Sequence, residues 1–264
     1  MFTNIRNPKP SKEYAECIAA LDKVIQHCIS ISQKFAGIKS PTASHYYASV
    51  LFTSLCSRSV SLAMLAPHSP WSKKKIEHWD FASIAGITRS ILEIRLLFYY
   101  FCIEKCTGEE WDCRWNILNL HDCTARMQLF EALNERSDIA DFNNQAEELR
   151  SRLTSNLFFM NLPESDRKSY LNGKKAFIYP LEKIAENAGV DVKTFRWLYK
   201  LLSSQVHSLP LSFYRMGEQD RGRGVHSEAE EGYTKLCISF TIKLLVSARD
   251  EMEQLFSEAI NIKS

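Results

Sequence analysis

The sequence predicts an all-α protein, a single helical bundle of about eight helices packed around two buried central helices. Three observations predict this class. Apolar residues recur at three- and four-residue spacing along most of the chain, which is the spacing of one helix face. Several of these segments follow the Ser, Thr or Asp residues that commonly begin helices. Alternating segments of the β type and internal repeats are absent from the sequence.

The first central helix is predicted over residues 81–103. Its sequence, FASIAGITRSILEIRLLFYYFCI, is apolar on every side of a helix, which is typical of a helix buried by others. The charges Arg89, Glu93 and Arg95 interrupt it. Arg89 and Glu93 are four residues apart and share a face, on which Tyr100 also lies. Because a charge in a core must be paired, Arg89 and Glu93 form either an internal pair or the lining of a cleft.

The second central helix is predicted to begin at Ser40-Pro41 and to end near Ala66. A serine followed by proline is typical of a helix start. Arg58 is the only full charge in this segment, and many of its positions are small, so that it can pack closely on the first central helix. An amphipathic helix that begins after Ser11 precedes it.

The remaining helices follow from capping signals and apolar spacing. They are expected after the capping box Thr107/Glu110, from Ser137 or Asp138 to Met160, from Pro180 to Ala188, from Asp191 to Leu209, and over 228–259. The polar segment 161–176 is predicted to be a loop, and residues 211–226 a flexible basic loop. We expect one domain over residues 1–264, with 161–176 as the hinge if the chain forms two subdomains.

Composition excludes several classes of protein. A hydrophobic content of 45% and a charged content of 24% are usual for a globular protein with a core. The best membrane candidate, residues 82–103, contains three charges, so no membrane span is expected. Residues 1–10 lack the apolar region of a signal peptide, so the eight cysteines are expected to be reduced, in the cytoplasm. They show no C-x-x-C spacing, and we expect neither a metal nor a cofactor.

Charge is distributed unevenly along the chain, although the net charge is only +2. Residues 104–152 hold 11 acidic and 6 basic side chains, whereas residues 167–226 hold 11 basic and 5 acidic ones. This pattern indicates either solvated helix faces or a basic surface for an anionic partner, such as RNA, a nucleotide or another protein. In the second interpretation Arg215, Arg221 and Arg223 are the anion-binding residues.

One group of polar residues could carry chemistry on two helices. Tyr199, Ser203 and His207 follow one another at four-residue spacing and form a polar stripe. If this stripe packs against the first central helix, His207 could meet Glu93 or Arg89; the sequence alone does not decide whether it reaches them. A carboxylate fixes the tautomer of an imidazole and makes it a usable acid or base. The alternative is a buried hydrogen-bonded network that only fixes the packing.

The same residues carry a resemblance to a known family. The segments TRSILEIRLLFYYF, EEWDCRWN and LYKLLSSQVHSLP resemble an uncharacterised bacterial all-helical family known only as a domain of unknown function. The shared pattern is an Arg-x-x-x-Glu, here Arg89 and Glu93, and a downstream Ser-x-x-x-His, here Ser203 and His207. The resemblance covers roughly residues 45–260. It implies the helical fold and no particular reaction.

A second pair, Arg114 and His121, lies seven residues apart on one helix face. It resembles the Arg-x(4–6)-His motif of the all-helical HEPN-type ribonucleases, with Trp115 where many of these motifs have a polar residue. The resemblance implies a homodimer whose two motifs share a cleft. It also implies RNA cleavage without metal, in which His121 assists attack of the 2′-hydroxyl and Arg114 stabilises the developing charge. The alternative is an ordinary amphipathic helix.

Two functions follow from these patterns. The first is a toxin or defence effector that acts on RNA or a nucleotide, with His207 or His121 as acid/base and Arg89 or Arg114 as anion stabiliser. Glu93 would then orient a histidine or hold an arginine. Tyr100, Tyr199 and Ser203 would support these groups. The second is a non-catalytic helical binding module: an adaptor, an immunity partner or a dimeric scaffold. The sequence leaves open whether the protein is an enzyme.

Overall fold

The computed structural model describes residues 8–134, 137–207, 209–215 and 217–261. In chain order the α-helices are α1 (Lys12–Lys34), α2 (Ala43–Leu65), α3 (Phe81–Phe98), α4 (Gly108–Leu133), α5 (Ser137–Ser155), α6 (Leu157–Met160), α7 (Glu164–Leu171), α8 (Leu181–Asn187), α9 (Val192–Val206), α10 (Pro210–Phe213) and α11 (Glu228–Asn261). Within these ranges no β-strand occurs, and Trp79 and Gly224 form an isolated bridge. The all-α prediction is confirmed.

The chain divides into two compact units. The first unit consists of Met1–Ile103 and Ala188–Ser264, and the second of Glu104–Asn187. The segment 161–176, at which a subdivision is predicted, lies inside the second unit and coincides with neither boundary. The prediction of a single domain stays a prediction.

In the first unit, α3 packs against α2, α9 and α11, while α1 packs against α2 and α11. Fully buried side chains such as Tyr14, Phe52 and Phe98 fill the space between these helices. Ala48 and Ala63 of α2 are also fully buried, as expected for small residues where helices approach closely. A π-helical turn, Tyr99–Ile103, continues α3. The predicted packing of α2 on α3 is therefore confirmed.

The helix starts follow the predicted caps in most cases. The hydroxyl of Ser11, the hydroxyl of Thr107 and the carboxylate of Asp191 each accept a hydrogen bond from the backbone N–H three residues later. The second helix differs, because Thr42 rather than Ser40 is its cap. Helix α9 ends at Val206, before the predicted end at Leu209.

In the second unit, α4 and α5 form an antiparallel pair, and α6 and α7 pack on α4. Its core consists of Cys113, Ile117, Leu120, Cys123, Ala146, Leu149, Leu153, Phe159 and Tyr170. The prediction of a loop over 161–176 is wrong for α7. That helix buries only Tyr170, so its sequence shows no apolar spacing that would reveal it.

Short helices also raise the helix number above the predicted eight. Helices α6 and α10 have four residues each and α7 has eight, too few for a periodic pattern to be read from sequence. For the same reason residues 211–226, predicted as a loop, include part of α10 and a 3-10 turn at Glu218–Asp220.

In the described part of the chain, α2 alone is long and apolar enough to cross a membrane, judged by length and composition. The core helix of a soluble protein meets the same criterion, and α2 buries Phe52, Leu55 and Leu62 inside the first unit. The best membrane candidate is therefore α2 and not the predicted segment 82–103.

Candidate functional site

Arg89 joins α3 to α9 through its guanidinium group. Its Nε and Nη2 donate to Oε1 of Glu93 at 3.1 and 2.8 Å. From α9, the hydroxyl of Tyr199 accepts from Nη2 at 2.8 Å, and the hydroxyl of Ser203 accepts from Nη1. The guanidinium carbon lies 4.1 Å from the centre of the Tyr199 ring, which is cation–π range. The structure thus brings together four of the residues that the helical spacing groups.

This cluster, Arg89 with Glu93, Tyr199 and Ser203, lies at the edge of the first unit and not in its core. The Arg89 side chain is 15% exposed, and that of Glu93 is 46% exposed. Arg89 and Glu93 therefore form a partly exposed pair, and they are not the buried ion pair that the apolar sequence of this helix predicts. A guanidinium has five N–H groups. Four of those in Arg89 are already used by Glu93, Tyr199 and Ser203.

The structure does not bring His207 to this cluster. Because α9 ends at Val206, His207 occupies the C-cap position, where its backbone N–H donates to the Ser203 carbonyl at 3.1 Å. Its side chain is exposed. Among the described residues, no hydrogen bond or ion pair joins its imidazole to Arg89 or Glu93. The predicted contact of His207 with Arg89 or Glu93 is wrong. Residues four apart share a face only within a helix, and His207 lies past the last residue of α9.

Tyr100 also lies elsewhere. The helix changes from α to π geometry at Tyr99, which shifts the residues that follow off the stripe of Glu93. Tyr100 is fully buried, and its ring packs edge-on against Phe101 at a centroid distance of 4.9 Å. It therefore belongs to the core of the first unit.

The charge that α3 buries is Arg95, whose side chain is 1% exposed. Its Nη2 donates to Oε1 of Glu251 at 2.6 Å and to the hydroxyl of Ser247 at 2.8 Å. Burial raises the pKa of the Glu251 carboxyl, and Arg95 only partly offsets that rise. Nη1 of Arg95 and Oε2 of Glu251 are buried and, within the described ranges, have no hydrogen-bond partner.

Arg95 interrupts the apolar helix in the sequence, but helical spacing does not group it with the predicted site residues. A local signal was present, since Arg95 shares its helix face with Ile91, Leu92 and Phe98, which are all fully buried. Its partner Glu251 is 156 residues away and gives no local signal.

A cavity of about 410 Å³ lies beside Arg95 in the first unit. Its walls come from α3, from α9 and the turn before it, and from α11. The polar lining residues are Arg95, Asp191, Thr194, Ser239, Lys243 and Ser247, and the larger apolar ones are Val190, Trp197, Leu198, Leu236, Phe240 and Leu244. Such a volume lies within the usual range for small-molecule sites, about 300–1,000 Å³.

In the second unit, Arg114 is a buried structural cation. Its side chain is 2% exposed, its Nη1 lies 2.7 Å from Oε2 of Glu104, and its Nη2 lies 2.6 Å from Oε1 of Glu110. The guanidinium carbon also lies 5.5 Å from the centre of the Tyr179 ring. With two carboxylates on it, Arg114 carries no uncompensated charge for an incoming phosphate.

His121 has a different environment, although it lies on the same helix. Its Nδ1 is 2.7 Å from the carbonyl oxygen of Gly173. A carbonyl only accepts hydrogen bonds, so Nδ1 carries the proton and Nε2 of the neutral ring is an acceptor. The side chain is partly exposed. Among the described residues no hydrogen bond joins His121 to Arg114, so the two predicted partners do not act on each other directly.

Two of the three predicted anion-binding arginines line a smaller cavity of about 230 Å³ in the first unit. Arg215 is exposed, and Arg221 donates to the side chain of Glu218 at 3.2 Å. Asp80 and Glu230 line the same cavity, so its charge is mixed. Arg223 is exposed and does not line it.

The eight cysteines are free thiols, and six of them are buried. Burial raises the pKa of Cys28 and of Cys237 to about 12, so neither is a thiolate near neutral pH. Within the described ranges, no group of three or more His, Cys, Asp or Glu side chains could hold a metal ion.

Fold and site together define an all-helical protein in which arginines on α3 tie the helices of the first unit together. Residues 45–224 match the family of unknown function DUF5677, and the chain belongs to this family. The resemblance to a domain of unknown function is thereby confirmed, whereas the resemblance to HEPN-type ribonucleases is not shown. No curated protein and no solved structure matches the chain.

Proposed function

We propose that this protein is a non-catalytic helical binding module. The observation that carries the proposal is the state of Arg89, four of whose five N–H groups are bound by Glu93, Tyr199 and Ser203. A guanidinium so occupied fastens α9 to α3 and has one N–H left for a substrate. His207, the base expected beside it, is exposed at the helix end.

The environment of Arg114 supports the same proposal. Electrostatic catalysis needs donors aimed at the place where negative charge develops. The Arg114 guanidinium is instead held by Glu104 and Glu110 and is almost fully buried. What the module binds would enter the 410 Å³ cavity beside Arg95, the larger of the two cavities described in the first unit. The free cysteines support a reducing compartment, the cytoplasm, as its location.

The second candidate function is the toxin or defence effector that cleaves RNA. One observation favours it: the Gly173 carbonyl holds His121 in the tautomer whose Nε2 could accept a proton. The exposed Arg215 beside Arg221 would supply a surface for phosphates. This candidate also predicts a homodimer, since in HEPN-type proteins two copies build the cleft.

The experiment that separates the two candidates is an RNA cleavage assay without metal. The purified chain is incubated with a labelled RNA in the presence of EDTA, beside His121→Ala and His207→Ala. We expect no cleavage above that of a mock purification from cells without the gene. Cleavage by the wild type that His121→Ala abolishes, with unchanged helical content, would refute the binding-module proposal.

A further inference from the structure

We propose that the cavity beside Arg95 binds a small amphipathic monocarboxylate. Its carboxylate would lie between Arg95 and Lys243, and its aromatic or branched aliphatic body against Phe240 and Trp197. This inference rests on the proposed binding function and names the class of ligand for it. Three features of the cavity support it: an unpartnered buried donor, the balance of charge, and the apolar walls.

The unpartnered donor is Nη1 of Arg95. The side chain is 1% exposed, and Glu251 and Ser247 occupy only its Nη2. Buried polar groups in folded proteins nearly always have a hydrogen-bond partner, because leaving one unsatisfied is costly. Nη1 has none among the described residues, and the residue Arg95 lines the cavity. Nη1 itself is closed to solvent in this structure, so a ligand oxygen would supply the missing acceptor after a side-chain movement that opens Nη1 to the cavity.

The balance of charge selects a monoanion. Glu251 compensates the charge of Arg95 through the 2.6 Å ion pair. Lys243 lies one helical turn before Ser247 on α11, on the same face, and has no ion pair with any described residue. Asp191, at the rim, is engaged as the N-cap of α9. Asp191 keeps its charge but directs its carboxylate to the backbone N–H of Thr194, so Lys243 is the lining cation that has no ion pair among the described residues. A single unpaired cation matches a carboxylate better than a phosphate dianion.

The walls select an apolar body for the ligand. Leu198, Phe240 and Leu244 are buried side chains that face this cavity, and Trp197 stands at its rim with 54% of its surface exposed. An exposed indole beside an apolar recess gains burial when an aromatic or branched group enters. The volume of about 410 Å³ suits a compact molecule rather than a peptide.

The test is isothermal titration calorimetry of the full chain with three probes. These are 3-phenylpropionate, its neutral amide 3-phenylpropanamide, and inorganic phosphate. We expect the carboxylate to bind about fivefold more tightly than the amide, because the amide lacks the charge that pairs with the exposed Lys243. Phosphate should not compete with the carboxylate.

Variants locate the binding. Lys243→Ala should weaken carboxylate binding about fivefold, the upper range for an exposed ion pair, and leave amide binding unchanged. Trp197→Ala should weaken both probes. Lys23→Ala, which removes an exposed lysine of α1 away from the cavity lining, is the matched control and should change neither. These positions are exposed, so the variants should fold even if Arg95 variants do not.

Several outcomes would overturn the inference: no carboxylate binding by the folded wild type, equal affinity for acid and amide, displacement by phosphate, or an unchanged affinity in Lys243→Ala. These failures are distinct from failure of the proposed function. Absence of binding together with absence of RNA cleavage overturns only the ligand assignment. RNA cleavage that depends on His121 overturns the proposed function itself.

Discussion

Replacing Arg95 by methionine should destabilise the first unit far more than the same change at Arg89, although both arginines lie on α3. Arg95→Met keeps an apolar stem in the core but leaves the Glu251 carboxylate without its cation. The Glu251 side chain is only 21% exposed, so water cannot fully replace the lost partner. Removing one member of a buried ion pair typically costs about 3–5 kcal/mol of unfolding free energy.

Arg89→Met should cost less, about 1–2 kcal/mol, because Glu93 is 46% exposed and recovers hydration when the guanidinium leaves. What is lost there is the pair of hydrogen bonds to α9 and the contact with the Tyr199 ring. Thermal unfolding followed by calorimetry measures the difference. At about 2–4 °C per kcal/mol, Arg95→Met should lower the melting temperature by on the order of 10 °C and Arg89→Met by about 5 °C or less.

The double variant Arg95→Met/Glu251→Met tests the reason for the difference. It removes both charges and should recover most of the lost stability, because an apolar pair of similar volume is often as stable as a buried ion pair. The loss in Arg95→Met alone should also be smaller at about pH 5 than at about pH 7, since an unpaired buried carboxyl takes up a proton as the pH falls. Equal melting temperatures for Arg95→Met and Arg89→Met, or no recovery in the double variant, would refute this reasoning.

Three further predictions concern other parts of the chain. Arg114→Met should destabilise the second unit by about 3–5 kcal/mol in urea unfolding, because it leaves Glu104 and Glu110 without their shared cation. Gly173→Ala should cost on the order of 2 kcal/mol by the same measurement, since its φ is +66° and a Cβ there would overlap a side chain of α4. Burial raises the pKa of the Glu231 carboxyl, but the hydrogen bonds that it accepts from Ser11 and His226 outweigh burial and lower the pKa below its usual value. The stability that Glu231 contributes is therefore present at neutral pH and is lost as the pH falls through that lowered pKa. Acid unfolding should therefore be less steep in Glu231→Gln, and an identical acid profile would contradict this.

The sequence predicts the fold well where it contains strong local signals. The caps at Ser11, Thr107 and Asp191 and the apolar faces of the long helices give the helix starts to within a few residues. Helical spacing groups Arg89 with Glu93 on α3 and Tyr199 with Ser203 on α9, because both helices are regular there. That these two groups meet comes from the packing of α3 on α9, which spacing alone does not give. Helical spacing carries no information beyond such regular segments.

Each wrong expectation for the site involves a place where that regularity ends or a distance that spacing does not encode. His207 lies one residue past the end of α9, and Tyr100 lies in the π-helical turn after α3, so neither keeps the stripe of its helix. Arg95 and Glu251 are 156 residues apart, and the sequence around each of them contains no pattern that predicts its partner. The glutamates that neutralise Arg114 are close in sequence, but its burial comes from packing within the second unit.

The range of the family match has a consequence for the first unit. Residues 45–224 include Arg95 but end before α11, which supplies Glu251, Ser247 and Lys243. They also leave out α1, which packs on α11 and α2. A chain limited to the matched range would expose the apolar face of α3 and leave Arg95 without its carboxylate, a combination that costs several kcal/mol. The unit that folds and forms the cavity therefore has to include α1 and α11, and the Arg95–Glu251 pair is one of the contacts that join α11 to α3 in this chain.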